Sequence, residues 1–281
     1  MKKQLLLIIM SFSMITFCKS QNVNLLGDNV AKYDFLRSEM NMKIVDAKIT
    51  VSDSYRTENG TVKMEISSIT ERKQKEDNIE FLILSDKQLT EIEIEGETKI
   101  EKEFSNLTGE KINLIQNEGG DYKIENEENY TDEEIKEIRE KYAYKEDFSE
   151  MFFYPKSVKI GDSWTVEGNK LLYITGGIKA EGKCELTLVK VDDDNGDKIA
   201  TIFFNMDATT TDLDAKSNLV KMNFVLNGKI KRSLVYGIDR DMNSTGMVTL
   251  SMNEKESGQG VSFEIIGKCT MKGRERLYEE K

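Results

Sequence analysis

The residues that could carry chemistry in this chain are carboxylates, cysteines and aromatic side chains, because none of its 281 residues is a histidine. Ser-His-Asp and Cys-His nucleophiles are therefore excluded. The common zinc sites, which use histidine or clustered cysteines, are excluded as well. Carboxylates are abundant, but no pair is distinguished by its spacing as the acid and nucleophile of a glycosidase. The sequence favours a non-catalytic protein without a cofactor, and a carboxylate-based hydrolase is the less favoured alternative.

A weak candidate for a metal site is formed by Asp239, Asp241 and Asn243, whose side-chain oxygens alternate along the chain as in calcium-binding loops. The segment lacks the glycine and the later bidentate glutamate of a full EF-hand loop. A polar hairpin that ends at Thr245-Gly246 explains the same residues. No metal is therefore expected.

Two of the three cysteines, Cys184 and Cys269, alternate with apolar residues and should point into the core of the second half of the chain. In an oxidising compartment two such cysteines can form a disulfide. Two separate buried thiols, acting as small hydrophobic groups, are an equally good interpretation. The residue types alone leave both alternatives open.

The first 20 residues have the layout of a secretory signal peptide. Lys2 and Lys3 precede an apolar run from Leu5 to Phe17, and small residues at positions 18 and 20 place the cleavage after Ser20. The run is too short for a transmembrane anchor. The protein is therefore predicted to be exported to the periplasm or the extracellular space. The alternative is an outer-membrane lipoprotein with lipidated Cys18, although Phe17 is unusually large for the preceding position.

Composition narrows the range of partners. The net charge is −11 and the sequence pI is about 4.9. Because an acidic protein repels phosphate backbones, a nucleic-acid partner is excluded. Charged and apolar residues are interspersed throughout, which indicates a folded chain rather than a disordered one.

The remainder of the chain is predicted to be mainly β (α+β). Period-two alternation recurs in many segments, as in antiparallel sheets with one solvated face. Three groups of residues in the first half recur in the second half with offsets of 136 or 137 residues: Lys48–Val51 and Glu185–Leu188, Asn59-Gly60 and Asn195-Gly196, Asn106–Gly109 and Asn243–Gly246. We therefore expect two pseudo-repeated curved sheets or half-barrels, with both Asn-Gly pairs at hairpin turns. Two unrelated meanders with the same turn chemistry are the alternative.

A central helix should join the two lobes. Thr131 and Glu134 form a capping box, and apolar residues follow at helical spacing, so a helix is predicted from about Thr131 to Tyr144. A short leading helix is predicted at about Gly27 to Glu39. The resulting divisions are a signal peptide at 1–20, an N-terminal β lobe at 21–130, the helix and interlobe connection at 131–164, and a C-terminal β lobe at 165–281.

Aromatic residues cluster at the end of the connection. Phe152, Phe153 and Tyr154 precede the single proline, Pro155, and the single tryptophan, Trp164, follows. These side chains could fill the junction between the lobes or bind a ligand, and burial at the junction is the favoured interpretation.

The pattern Pro155…Val158-x-x-Gly161-Asp162-x-Trp164, followed by a β meander, resembles an uncharacterised family of secreted bacterial β proteins. The resemblance covers about ten residues and a looser pattern around them. It implies an exported protein with a β fold. It implies no activity, because none is established for that family.

The leading functional hypothesis follows from the predicted fold. A curved sheet with one apolar face has to cover that face with a helix, another lobe or a ligand. The sequence therefore predicts a non-catalytic cell-envelope protein that binds an apolar ligand or a protein partner. The alternative is a structural or assembly protein of the envelope.

Overall fold

The protein is a mainly β structure, as a computed structural model shows for residues 35–75, 78–117, 122–141, 152–153, 158–175, 179–210, 221–252 and 261–277. The strands are β1 (Phe35–Asp53), β2 (Thr57–Lys75), β3 (Asn78–Ile94), β4 (Glu97–Phe104), β5 (Lys111–Gln116), β6 (Tyr122–Ile124), β7 (Ser163–Glu167), β8 (Ala180–Asp194), β9 (Asp197–Thr210), β10 (Lys221–Ser233), β11 (Asp239–Met252) and β12 (Val261–Leu277). The described helices are α1 (Asp132–Lys141) and two 3₁₀ helices, Glu127–Asn129 and Gly168–Tyr173.

All twelve strands belong to one antiparallel sheet, in the order β6-β5-β3-β2-β1-β12-β11-β10-β9-β8-β7, and β4 pairs with β3 beside β5. The first and last strands are neighbours in the middle of this sheet, with Leu36 opposite Leu277 and Asp53 opposite Val261. The prediction of two separate sheets is therefore wrong. The boundaries predicted at residues 130 and 164 divide the chain but not the sheet.

The residues that suggested an internal repeat occupy different structural positions. Asn195 and Gly196 both have positive φ, at 53° and 88°, and form the predicted hairpin turn between β8 and β9. Asn59 and Gly60 instead lie within β2, opposite Thr50 and Ile49. The turn from β1 to β2 forms earlier because the Asp53 carboxylate accepts hydrogen bonds from the backbone of Tyr55 and Arg56, at 2.8 and 2.9 Å.

The third pair of repeated segments differs in the same way. Gly109, with φ of 90°, belongs to the turn that follows β4, whereas Gly246 lies within β11 opposite Leu226. Two pseudo-repeated lobes are thus not seen. The two halves share turn-forming residues, but they use them at different points of the sheet.

The predicted alternation of side chains is confirmed on one face of the sheet, which we call the inner face. It comprises the buried side chains of β1–β3 and β7–β12, and these form one contiguous core. Ile202, Phe204 and Met206 in β9 are at most 3% exposed, for example. Since this apolar face spans nine strands and is buried, the sheet and the segments packed on it must enclose it.

Helix α1 packs against a second, smaller core. Its capping box forms as predicted: the Thr131 N–H donates to Glu134 Oε2 at 2.8 Å, and the Glu134 N–H donates to Thr131 Oγ1 at 3.2 Å. Ile138 is fully buried with residues of β3, β5 and β6. The helix therefore lies against the first half of the sheet and does not form a junction between lobes.

The leading helix is the remaining correction. Residues 35–39 belong to β1, because Leu36 and Met40 continue the alternation of the inner face. Residues 27–34 of that prediction, the signal peptide and Cys18 lie outside the described residues.

Candidate ligand site on the inner face

Two short segments cover part of the inner face and form an aromatic cluster. Phe152 and Phe153 are fully buried, and Tyr173, at the end of the second 3₁₀ helix, is 6% exposed. The ring centroids of Phe152 and Tyr173 are 5.0 Å apart in a stacked arrangement, and Phe153 meets Tyr173 edge-on at 5.2 Å. Leu171, also fully buried, anchors the same 3₁₀ helix in the main core. Phe152 and Phe153, two of the predicted aromatic residues, are therefore core residues of the inner face.

Trp164 is positioned by the turn before β7. The Asp162 carboxylate accepts the Lys159 N–H at 2.8 Å, and Gly161, at φ 94°, donates its N–H to Leu188 O at 2.7 Å. Trp164 is 9% exposed and donates from Nε1 to Phe152 O at 3.4 Å. The structure thus brings Trp164 to Phe152, and Phe153 belongs to the same core. Tyr154, the fourth residue of the predicted cluster, lies outside the described part.

A row of polar side chains crosses the inner face near one end of the strands. Ser38 in β1 lies opposite Thr70 in β2 and opposite Glu275 in β12. Asp239, at the start of β11, donates its backbone N–H to Glu275 Oε2 at 2.8 Å, and it pairs with Arg232 in β10. We call these five residues, which come from five adjacent strands, the polar belt. In β1 it crosses the inner face between the buried side chains of Leu36 and Met40.

The centre of the polar belt is a buried ion pair. Arg232 Nη1 lies 2.7 Å from Asp239 Oδ1, and the two side chains are 2% and 3% exposed. Tyr173 donates its hydroxyl hydrogen to the other oxygen, Asp239 Oδ2. Glu275 is 5% exposed and also accepts a long hydrogen bond, 3.4 Å, from Ser38. Polar contacts inside the core thereby link β1, β10, β11 and β12 to the 3₁₀ helix Gly168–Tyr173.

The electrostatics follow from this burial. Desolvation, and then the negative charge of Asp239, raise the pKa of Tyr173 well above its ordinary value. Burial alone lowers the pKa of the Arg232 guanidinium, but the adjacent Asp239 carboxylate outweighs it and the net pKa is raised. Arg232 is therefore a permanent cation, and Tyr173 is a neutral hydrogen-bond donor.

Arg232 does not use all of its hydrogen-bonding capacity. Its Nε and Nη2 atoms are buried and have no hydrogen-bond partner in the part of the chain that the structure describes. The guanidinium carbon lies 4.2 Å from the centroid of the Phe153 ring. Stacking on an aromatic face stabilises the cation but leaves the N–H groups in its plane unsatisfied.

A small cavity of about 20 Å³ lies against the polar belt. Ser38, Thr70, Asp239 and Glu275 line it together with Ser68. This volume holds roughly one water molecule. The cavity is far too small for a sugar ring between the two carboxylates, so it gives no support to the carboxylate-based hydrolase.

The residues of the calcium hypothesis are separated by a β-bulge at Arg240, where Lys231 pairs with Asp241 and Arg232 pairs with Asp239. The bulge shifts the alternation, so that Asp239 is buried whereas Asp241 and Asn243 are partly exposed. Asn243 donates to Asp241 at 2.8 Å, and Asp239 is held by Arg232 and Tyr173. Across the described residues, no group of three acidic or cysteine side chains is arranged to hold a metal ion.

Cys184 and Cys269 are both buried and both unbonded. Three strands, β9, β10 and β11, lie between their strands β8 and β12 in the sheet, so the sulfurs are not brought together. In the structure the two cysteines are separate buried thiols, which is the second of the two interpretations. Burial raises the pKa of each thiol to about 12.

Sequence reasoning missed Arg232, Glu275 and Tyr173. A signal for two of them was present. Arg232 continues the inward series Leu226, Gly228 and Ile230, and Glu275 continues the inward series Met271 and Gly273. A charged residue in phase with a buried series indicates a polar element in the core. Tyr173 follows no comparable pattern.

Comparisons with known proteins do not assign the chain to a family. No family model matches it, and no curated protein matches it. Among solved structures, a lipovitellin structure titled for its lipid–protein interactions has 9% identity and a TM-score of 0.42, and covers 89% of this chain and 26% of that chain. DynF from the dynemicin biosynthesis pathway of Micromonospora chersina has 11% identity, a TM-score of 0.21 and coverage of 94% and 96%.

A DUF1329 family protein from Desulfovibrio piger has 5% identity and a TM-score of 0.15, with coverage of 86% of this chain and 87% of that chain. TM-scores this low carry no conclusion about ligand or function. The chain spans 26% of the length of the lipovitellin chain. The resemblance of the Pro155–Trp164 segment to a secreted family stays a prediction. Within the described ranges, the helices are all too short or too polar to cross a membrane.

Proposed function

We propose that this protein is a non-catalytic binding protein of the bacterial cell envelope, whose inner face takes an apolar ligand. The observation that carries this proposal is the inner face itself. Its buried side chains span nine strands, and short segments at Phe152-Phe153 and Gly168–Tyr173 contribute to its cover. A ligand can displace the side chains of such short segments at a lower free-energy cost than it could displace a second sheet layer.

The composition of the inner face supports an adaptable binding surface. Eight of the buried core residues are methionines: Met40, Met42, Met64, Met206, Met222, Met242, Met252 and Met271. Methionine has three rotatable bonds and a polarisable sulfur, so it can repack around apolar molecules of different shape. The proposal includes export of this surface to the envelope through the predicted signal peptide, either free or anchored through Cys18.

Binding of the apolar dye N-phenylnaphthylamine tests the proposal. The dye should fluoresce with the wild-type protein, and Phe152→Ala should increase the bound fraction, because removing a fully buried ring enlarges the apolar space under the cover. Tyr55→Ala, at an aromatic residue that is 96% exposed, is the matched control and should change nothing. Absence of dye binding by both wild type and Phe152→Ala would refute the proposal. Native mass spectrometry of protein purified from its own envelope should identify the ligand as an added mass.

The alternative, an assembly protein, is favoured by a different surface. Leu89, Ile100 and Phe104 are 37%, 59% and 64% exposed on one outward face of the β3–β4 hairpin. In the described part β4 pairs with β3 alone, so its other edge is open to another strand. A partner protein that is lost on Phe104→Ser, with dye binding unchanged, would establish this role.

A further inference from the structure

The buried edge of Arg232 indicates which ligand the inner face recognises. In a guanidinium, the Nε–H and one Nη–H point the same way and form a fork that suits oxygen acceptors. In Arg232 the two atoms on this edge, Nε and Nη2, have no hydrogen-bond partner among the described residues, whereas Nη1 donates to Asp239. One coherent recognition element is therefore unused, rather than two unrelated atoms.

Leaving this edge unsatisfied is energetically unfavourable. A buried charged donor without an acceptor loses its hydration and gains nothing in return. Arg232 is 1% exposed, and one face of its guanidinium is stacked on Phe153 at 4.2 Å. An acceptor oxygen in the guanidinium plane would remove the penalty.

The position of Arg232 connects this edge to the apolar surface. Ile230, two residues earlier in β10, is fully buried on the inner face. Met242, opposite Ile230, and Met40, beside the polar belt in β1, are 1% and 7% exposed. A molecule whose polar head meets Arg232 would therefore have its apolar part against the main core.

The charge of the polar belt selects between acceptors. The positive charge of Arg232 is already matched by Asp239 at 2.7 Å, and Glu275 adds a second carboxylate to the belt. A ligand carboxylate would be buried beside these two carboxylates with one cation to share. A neutral carbonyl oxygen accepts the same hydrogen bonds without adding charge.

We propose that Arg232, through Nε–H and Nη2–H, binds the carbonyl oxygen of a neutral ester or amide head group on an apolar ligand. This inference rests on the proposed function, since it names the class of ligand for the same inner face. The polar belt is then the head-group end of the site, and the methionine-rich part of the inner face receives the chain.

Displacement of N-phenylnaphthylamine from the full-length protein by methyl laurate, laurate and n-dodecane at neutral pH tests the inference. Methyl laurate should bind at least about ten-fold more tightly than n-dodecane, the ratio that one charge-assisted hydrogen bond supports. It should also bind more tightly than laurate. Tighter binding of laurate would overturn the neutral head group. Equal affinity for all three would overturn the role of Arg232 while leaving the proposed function intact.

Arg232→Lys provides the second test. Lysine keeps a cation beside Asp239 but lacks the paired N–H edge. The affinity for methyl laurate should fall to that for n-dodecane, and the affinity for n-dodecane should not change. Arg139→Lys is the matched control, because Arg139 donates from Nη2 to both carboxylate oxygens of Glu127 at the surface. Unchanged selectivity for the ester in a folded Arg232→Lys variant would overturn the inference. If the wild-type protein binds no dye at all, both the inference and the proposed function are refuted.

Discussion

Replacing Arg232 by methionine is expected to destabilise the protein by about 3–5 kcal/mol, the usual result of breaking a buried ion pair from one side. The pair qualifies because Nη1 and Oδ1 are 2.7 Å apart and the two side chains are 2% and 3% exposed. Methionine fills much of the arginine volume, so the loss comes mainly from the Asp239 charge that remains buried. Single domains have a total stability of about 5–15 kcal/mol, so this loss is a large fraction.

Urea unfolding followed by the fluorescence of Trp164, the single tryptophan, measures the effect. With slopes of about 1–3 kcal/mol per molar urea, the midpoint should fall by at least about 1 M. The double variant Arg232→Met with Asp239→Leu removes both charges and should be more stable than Arg232→Met alone, because hydrophobic residues often replace a buried ion pair without loss. Arg139→Met is the surface control and should cost less than about 1 kcal/mol, since Arg139 and Glu127 are 59% and 40% exposed.

Two results would refute the reasoning. A loss of less than about 1 kcal/mol in Arg232→Met would mean that solvent reaches the polar belt. A double variant less stable than both single variants would mean that Arg232 and Asp239 contribute independently rather than as a pair.

Three further predictions concern the core. Trp164→Ala should cost about 3–5 kcal/mol, as for a large buried aromatic, and iodide should barely quench the tryptophan fluorescence of the native protein; strong quenching would contradict its burial. Iodoacetamide should leave Cys184 and Cys269 unmodified in the native state and should label both in denatured, unreduced protein, as measured by peptide mass spectrometry. If both cysteines stay unlabelled after denaturation, they form a disulfide. The contribution of Tyr173 to stability should be complete below pH 10.0, its ordinary pKa, and should be lost as the pH rises above it, because the raised pKa in the folded protein lets only the unfolded state release the proton. Tyr173→Phe should therefore flatten the decline in the free energy of unfolding above pH 10.0. An unchanged slope would argue against the buried contact with Asp239.

Local features of the fold could be predicted from the sequence because neighbouring residues determine them. The alternation of Phe204 and Met206 with Asn205 and Asp207 identified β9 and its buried face. The Asn195-Gly196 pair identified a turn that needs two positive φ angles, and both residues have them. Thr131 and Glu134 identified the start of α1 through bonds that span three residues.

Features that depend on distant residues could not be predicted in this way. Asn59-Gly60 carries the same local signal as Asn195-Gly196, but the Asp53 side chain closes the turn earlier and pairing with β1 and β3 places Gly60 within a strand. The single sheet depends on β1 pairing with β12, for which no short-range pattern exists. The polar belt depends in addition on the bulge at Arg240, since this bulge turns Asp239 inward.

The central position of the pair β1–β12 has a consequence for how the protein acquires its structure. Leu36 and Leu277 are partners, so the sheet cannot be completed until β12 has been synthesised. Before that, the strands on either side form two fragments with unprotected edges at β1 and β11, and such edges recruit other chains. Contacts between such distant positions also slow folding. A chain shortened before Val261 should therefore accumulate as aggregates, whereas a chain that includes β12 can complete its sheet.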